Sequence, residues 1–262
     1  MAEGVLLDID GVLTVSWDPL PGAVEAIQWL QAEGIGFRLL TNTSSRSRRD
    51  IADRLAASGM PVGVDHILTA VTSAAGYLAS HYAGVGCLVV NEGELGEDLA
   101  GVEAVDARSA GVVLLCGAGP TIGYAELDAV FKLAMAGAPV VALHRNTRYQ
   151  TAAGPALDMG AFIVGIEAAA GIDVMAVGKP EPAMFESALA DLGIDARTAV
   201  MIGDDIVSDV LGAQALGITG VLVRTGKFRP SDLDGLVGDA PQPDHVIADI
   251  AELPALLGRL AS

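Results

Sequence analysis

Two carboxylates, Asp8 and Asp10, stand one residue apart where the apolar run Val5-Leu6-Leu7 ends, and Gly11 follows them. Three further segments have the same form, an apolar run that stops abruptly at polar residues. Leu39-Leu40 stops at Thr41-Asn42. Met175-Ala176-Val177 stops at Gly178-Lys179-Pro180. Val200-Met201-Ile202 stops at Gly203-Asp204-Asp205, with Asp209 close behind. Carboxylates gathered at one place repel one another unless a hard cation sits among them, and an all-oxygen set with open positions suits Mg²⁺, which keeps several waters and binds substrate phosphate. A lysine, a hydroxyl and the free N–H groups of a helix start hold phosphoryl oxygens. One acid not needed by the metal can then serve as general acid, and another as nucleophile. Each segment alone has a plainer reading. Asp10-Gly11 can be a turn, Thr41 to Ser45 and Asp204 to Asp209 can be helix caps, and Lys179 can be an exposed loop lysine. Their recurrence, each at the end of an apolar run, makes chance a poor account.

Such groups converge only if the runs are neighbouring parallel strands, because ligands of open α/β sheets bind outside the carboxyl ends of the strands. The surrounding pattern supplies this. After the first strand, 12–17 reads as a short extended flap, and a helix with Pro21 in its first turn runs to Glu33. A strand over 36–40 leads through the hydroxyl-rich loop Thr41-Asn42-Thr43-Ser44-Ser45 to a helix over 46–57. This strand–helix alternation predicts a parallel sheet with crossover helices. Arg46, Arg48 and Arg49 form a basic cluster on that helix, best read as a solvated face.

From about Thr72 the pattern restarts. Helices over 73–82, 125–136 and 161–170 alternate with strands over 85–90, 112–116 and 139–143, enough for a small α/β domain of its own. Between its last strand and last helix lies a polar loop, His144 to Gln150, followed by Gly154-Pro155 and Leu157-Asp158-Met159-Gly160. The core pattern then resumes with strands over 174–177, 199–202, 220–223 and 244–247. A helix runs over 183–192, another follows Asp209 and leads to Gly217, and one more closes the chain.

Composition bounds the partners. The chain has 262 residues, 52% of them hydrophobic, and a formal net charge of -18. That charge repels nucleic acid and anionic membrane. An anionic substrate must therefore be captured by local cations or a metal. Cys87 and Cys116 lie in apolar runs and read as inert core thiols. The opening residues lack a signal-peptide pattern and no apolar segment is long enough to span a bilayer, so a cytoplasmic protein is expected.

The four segments together resemble the motifs of the haloacid dehalogenase superfamily of phosphatases, standing here as Asp8-Ile9-Asp10-Gly11-Val12, Leu40-Thr41-Asn42, Gly178-Lys179-Pro180 and Gly203-Asp204-Asp205 through Asp209. The block between the second and third motifs is similar to the large α/β cap of the nitrophenylphosphatase-like branch. Arg148-Tyr149 through Gly154, Leu157-Asp158 and Gly160 resemble the phospholysine phosphohistidine inorganic pyrophosphate phosphatase group within it. The resemblance implies an α/β fold with a Rossmann-like parallel-sheet core over 1–72 and 174–262 and an inserted cap over 73–173. It implies Asp8 as nucleophile and metal ligand, and Asp10 as general acid and base whose carbonyl also binds Mg²⁺. Thr41 and Asn42 would hold the phosphoryl oxygens, Lys179 would neutralise Asp8 and the transferring group, and Asp204 would be the third protein ligand. Asp209 would hold a metal-bound water, with Asp205 less determined because relatives vary there. Asn146, Arg148, Asp158, Met159 and Gly160 would face the substrate from the cap. The cofactor expected is Mg²⁺ and the partner a small phosphorylated molecule, with a homodimer through the cap in keeping with the branch.

Three rivals differ in chemistry. A carbon–halogen hydrolase needs neither Mg²⁺ nor an acid at Asp10. A phosphotransferase would pass the phosphoryl group to an acceptor other than water. A non-catalytic sensor of a phosphorylated metabolite would not need Asp8 and Asp10 intact.

Overall fold

The computed structural model describes residues 2–44, 46–93, 95–151, 154–234 and 241–260, so Ser45 of the hydroxyl loop lies outside the described residues. The chain divides into two compact units. One comprises Met1–Thr41, Arg48–Leu68 and Lys179–Ser262, and the other Asn42–Ser47 and Thr69–Gly178.

The first unit is built on a six-stranded sheet in the order His245–Ile247, Thr219–Val223, Ala199–Gly203, Gly4–Asp8, Gly36–Thr41, Ile67–Thr69. The pairings that join its first five strands are parallel. Gly4–Asp8 is buried at every position, as a central strand covered on both faces must be. Its Val5 and Leu7 pack with Leu39, Val200 and Ile202 of neighbouring strands and with Ile27, Leu30, Ile51 and Leu55 of the helices Ala23–Ala32 and Arg48–Ala57. Truncating one such leucine to alanine costs about 2–5 kcal/mol. This packing fixes where the strands end, and hence where the acids stand.

Several elements depart from the sequence reading. The first helix starts at Ala23, because Gly22 before it is left-handed (φ 79°), and Pro21 is left in the preceding turn. The flap is a hairpin, Thr14–Val15 against Asp18–Pro19. Its turn residues Ser16 and Trp17 both have positive φ (53° and 72°), as a tight two-residue turn of that hand requires. The edge strand Ile67–Thr69, where no strand was expected, is too short to carry a periodic signal. Ile206–Leu211 winds as a π-helix before Gly212–Gln214, so helical winding begins within the polar segment rather than after Asp209.

The second unit carries a four-stranded parallel sheet in the order Met175–Ala176, Val140–Ala142, Val112–Leu115, Cys87–Val90. Its helices include Ala70–His81, Tyr124–Met135 and Met159–Ala170. Met175–Ala176 was expected to resume the core pattern. It pairs instead with Val141 and Ala142, and the N–H groups of Val177 and Gly178 donate to Ala142 and Leu143. The run before Lys179 therefore closes the second unit's sheet. The expected polar loop is partly a hairpin, Arg148–Thr151 antiparallel to Gly154–Leu157. Cys87 and Cys116 are both buried free thiols, and desolvation pushes Cys87 up to about 11 and Cys116 higher still, so neither is a nucleophile at neutral pH. No helix among the described residues is long and apolar enough to cross a membrane.

Candidate active site

Lys179 is the hub of the site. Its Nζ lies 2.7 Å from Asp8 Oδ1 and 2.7 Å from Asp209 Oδ1, and donates to the Leu40 carbonyl at 3.0 Å. All three charged residues are buried. Burial would discharge an isolated lysine, but Asp209 and Asp8 outweigh it and hold the Lys179 pKa above its ordinary value. The ammonium thus ties the ends of two parallel strands, through Asp8 and Leu40, to the π-helix that follows a third, through Asp209.

Asp204 is only 2% exposed. Its Oδ2 accepts the backbone N–H of Lys227 at 2.6 Å, while its Oδ1 is buried and has no hydrogen-bond partner among the described residues. Desolvation, reinforced by the nearby Asp8 charge, pushes Asp204 up to about 7. Desolvation also pushes Asp209 up to about 6, against the pull of Lys179. Asp8, Asp204 and Asp209 each offer a ligand oxygen, and these oxygens lie within 4.8 Å of one another. A bare buried carboxylate oxygen in a group short of positive charge fits a hard divalent cation. Asp209, expected to act through water, thus stands in the same acidic group and pairs directly with Lys179. Asp10, two residues beyond the strand, is exposed, and desolvation still raises its carboxyl above the usual range, against Lys227 and Lys179.

The remaining expected residues fall into two groups. Asp205 Oδ1 accepts the N–H groups of Val207 and Ser208, both at 3.1 Å, so it caps the π-helix. Thr41 is buried at the end of its strand, whereas Asn42 groups with the second unit, where its Oδ1 would lie 2.6 Å from a Cβ at Gly178. Asp158 and Gly160 lie in the second unit. Asp158 caps Met159–Ala170 through the Met159 N–H (2.8 Å) and lies 3.9 Å from the buried His144 Nε2. A Cβ at Gly160 would sit 2.2 Å from the Arg145 carbonyl oxygen. Both residues therefore shape the segment that presents the exposed Asn146 and Arg148.

The Thr225-Gly226-Lys227 turn, legible only as the end of the 220–223 strand, belongs to the site as well. Besides its backbone bond to Asp204, Lys227 brings its Nζ to 3.8 Å from Asp205 Oδ2. The signal was present, since Gly220-Val221-Leu222-Val223 is one more apolar run that stops at polar residues and glycine.

A parallel sheet that collects carboxylates and a buried lysine at its strand ends defines a Rossmann-like enzyme with an acidic centre. A family model described as haloacid dehalogenase-like hydrolase matches residues 5–104, and a related HAD-like hydrolase model matches 176–253. The human haloacid dehalogenase-like hydrolase domain-containing protein 2 is 35% identical over 231 residues, 88% of this chain and 87% of that protein. The human phospholysine phosphohistidine inorganic pyrophosphate phosphatase is 36% identical over 236 residues, 88% of this chain and 86% of its own. Among solved structures, the p-nitrophenyl phosphatase from Archaeoglobus fulgidus superposes with a TM-score of 0.89 at 30% identity, covering 97% of this chain and 99% of that one. The chain belongs to the haloacid dehalogenase-like hydrolase family.

Proposed function

We propose that this protein is a Mg²⁺-dependent phosphatase that hydrolyses a small phosphorylated molecule through an aspartyl-phosphate on Asp8. The observation that carries the reading is Lys179, a buried ammonium shared by Asp8 and Asp209 beside the bare oxygen of Asp204. Named relatives that are phosphatases for p-nitrophenyl phosphate, phospholysine, phosphohistidine and pyrophosphate support the substrate class.

Asp8 and Asp204, with the Asp10 carbonyl, are the groups that would hold Mg²⁺, with Asp209 acting through a metal-bound water, and the ion would neutralise phosphoryl charge. Asp8 is the nucleophile, and one carboxylate oxygen attacks phosphorus while the bond to the leaving oxygen breaks. Lys179 fixes the orientation of Asp8 and offsets negative charge as the phosphoryl group arrives. Asp10 gives its proton to the departing oxygen, a task favoured by a carboxyl that desolvation keeps above the ordinary range. It then takes a proton from the water that attacks phosphorus and releases phosphate, which restores both aspartates. Thr41 and Asn42 bind phosphoryl oxygens. Asn146 and Arg148 are the residues assigned to selecting the leaving group, and Asp158, Met159 and Gly160 shape the segment that carries them.

Phosphate release from a panel of phosphate esters and pyrophosphate, with Mg²⁺ or with EDTA, tests the reading. Release that depends on Mg²⁺ is expected, and its rank order defines the substrate. Folded protein that binds Mg²⁺ yet releases phosphate from no member would overturn it in favour of a sensor. Exchanging Asn146 and Arg148 should change relative kcat/KM across the panel, and unchanged ratios would remove the second unit from specificity.

A further inference from the structure

The strand Thr219–Val223 ends in a turn that grips Asp204 from two sides. The Thr225 hydroxyl donates to the Gly11 carbonyl at 2.5 Å, and so fastens the turn to the loop that follows Asp8 and Asp10. Gly226 and Gly11 both have positive φ, 61° and 95°, and both press on Asp204 Oδ2. A Cβ on Gly226 would lie 2.1 Å from that oxygen and 2.5 Å from Gly11 Cα, and a Cβ on Gly11 would lie 2.0 Å from the same oxygen. Neither position therefore accepts a side chain without displacing the carboxylate. The Lys227 N–H completes the grip on Oδ2 at 2.6 Å, while Oδ1 remains buried without a hydrogen-bond partner among the described residues.

We infer that the Thr225-Gly226-Lys227 turn is the positioning element for Asp204: its backbone holds Oδ2 and reserves Oδ1 as the ligand oxygen. The inference rests on the metal reading of the acidic group and deepens it. A carboxylate free to rotate could turn both oxygens to hydrogen-bond donors or to solvent, whereas this one is packed so that a single oxygen is left for a cation. Groups that orient a ligand in this way typically contribute about 10–100-fold to metal affinity. The positioning is done by the Lys227 backbone and by the absence of a side chain at Gly226. The Lys227 ammonium has a different place, 3.8 Å from Asp205 on a side chain 65% exposed.

Calorimetric titration of Mg²⁺ into the metal-free full-length chain, with metal-free melting temperatures recorded alongside, tests the inference without recourse to activity. Gly226→Ala should weaken Mg²⁺ binding by about 10–100-fold. Lys227→Met, which keeps the N–H and removes the charge, should bind Mg²⁺ at least as tightly as wild type. A merely structural turn would lower the metal-free melting temperature and leave the affinity alone. Should Gly226→Ala fail to fold, Thr225→Val decides, with about tenfold weaker binding expected. Wild-type affinity in the folded glycine variant, or in Thr225→Val if that variant decides, overturns the inference. So does a loss in Lys227→Met equal to that in Gly226→Ala. If wild type itself binds no Mg²⁺, the metal reading falls and takes the inference with it.

Discussion

At the scale of single residues, the site is an exercise in charge balance under burial. Asp8, Lys179 and Asp209 form a buried ion triad, so removing its cation leaves carboxylates facing one another out of water. Lys179→Met should therefore destabilise the metal-free protein by about 3–5 kcal/mol at neutral pH, measured by urea unfolding, and less in acid where the carboxyls protonate. Asp8→Asn keeps the shape and leaves Lys179 paired with Asp209. It should lower kcat by about 10⁴-fold or more while the far-UV spectrum and melting temperature stay close to wild type. Turnover near the wild-type rate would exclude Asp8 as nucleophile. These residues were legible in the sequence because each stands where an apolar run stops, a pattern that survives without any knowledge of the fold. The grip on Asp204 was not, because Lys227 acts there through its backbone N–H, which residue type does not reveal.

At the scale of elements, most strands and helices were legible, and the sheet that a short strand joins was not. Gly4–Asp8 is apolar up to its terminal acid and Ala199–Gly203 is apolar throughout, as burial on both faces requires. Ile67–Thr69 is too short for a pattern, and Met175–Ala176, read as a strand, joins the second unit's sheet because its pairing partners are distant in sequence. The place of Lys179 illustrates the consequence. Its preceding strand pairs with Val140–Ala142, yet its ammonium reaches Asp8. Gly160 has a packing constraint that residue type alone does not show, since a Cβ there would meet the Arg145 carbonyl oxygen. Gly160→Ala should cost about 1–3 kcal/mol of stability in thermal or urea unfolding. A neutral effect would mean the Arg145–Asn146 backbone yields easily.

At the scale of the whole molecule, the net charge of -18 sets the terms on which the site works. A carboxylate cluster inside an acidic protein has no general field to relieve it, and Asp204 and Asp209 stand at about 7 and about 6 in consequence of desolvation first and like charge second. Their folded pKa values exceed the ordinary unfolded value near 3.9. The folded state thus binds more protons than the unfolded state across that window, and stability is lost as pH rises through about 6 to 7. The metal-free protein should melt at a higher temperature near about pH 5.5 than near about pH 8. Mg²⁺ should raise the melting temperature more at the higher pH, where it no longer competes with protons. A metal-free melting temperature that climbs between those two values would contradict the cause assigned to the shifts.

The most direct test of the central claim is to trap the covalent intermediate. During turnover of a substrate from the panel with Mg²⁺, the reaction is quenched in acid, reduced with borohydride, and digested for mass spectrometry. An acyl phosphate on Asp8 would be reduced to homoserine at that position, in wild type but neither in Asp8→Asn nor in EDTA. Steady phosphate release with Asp8 never converted, or with conversion at another carboxylate, would contradict the account.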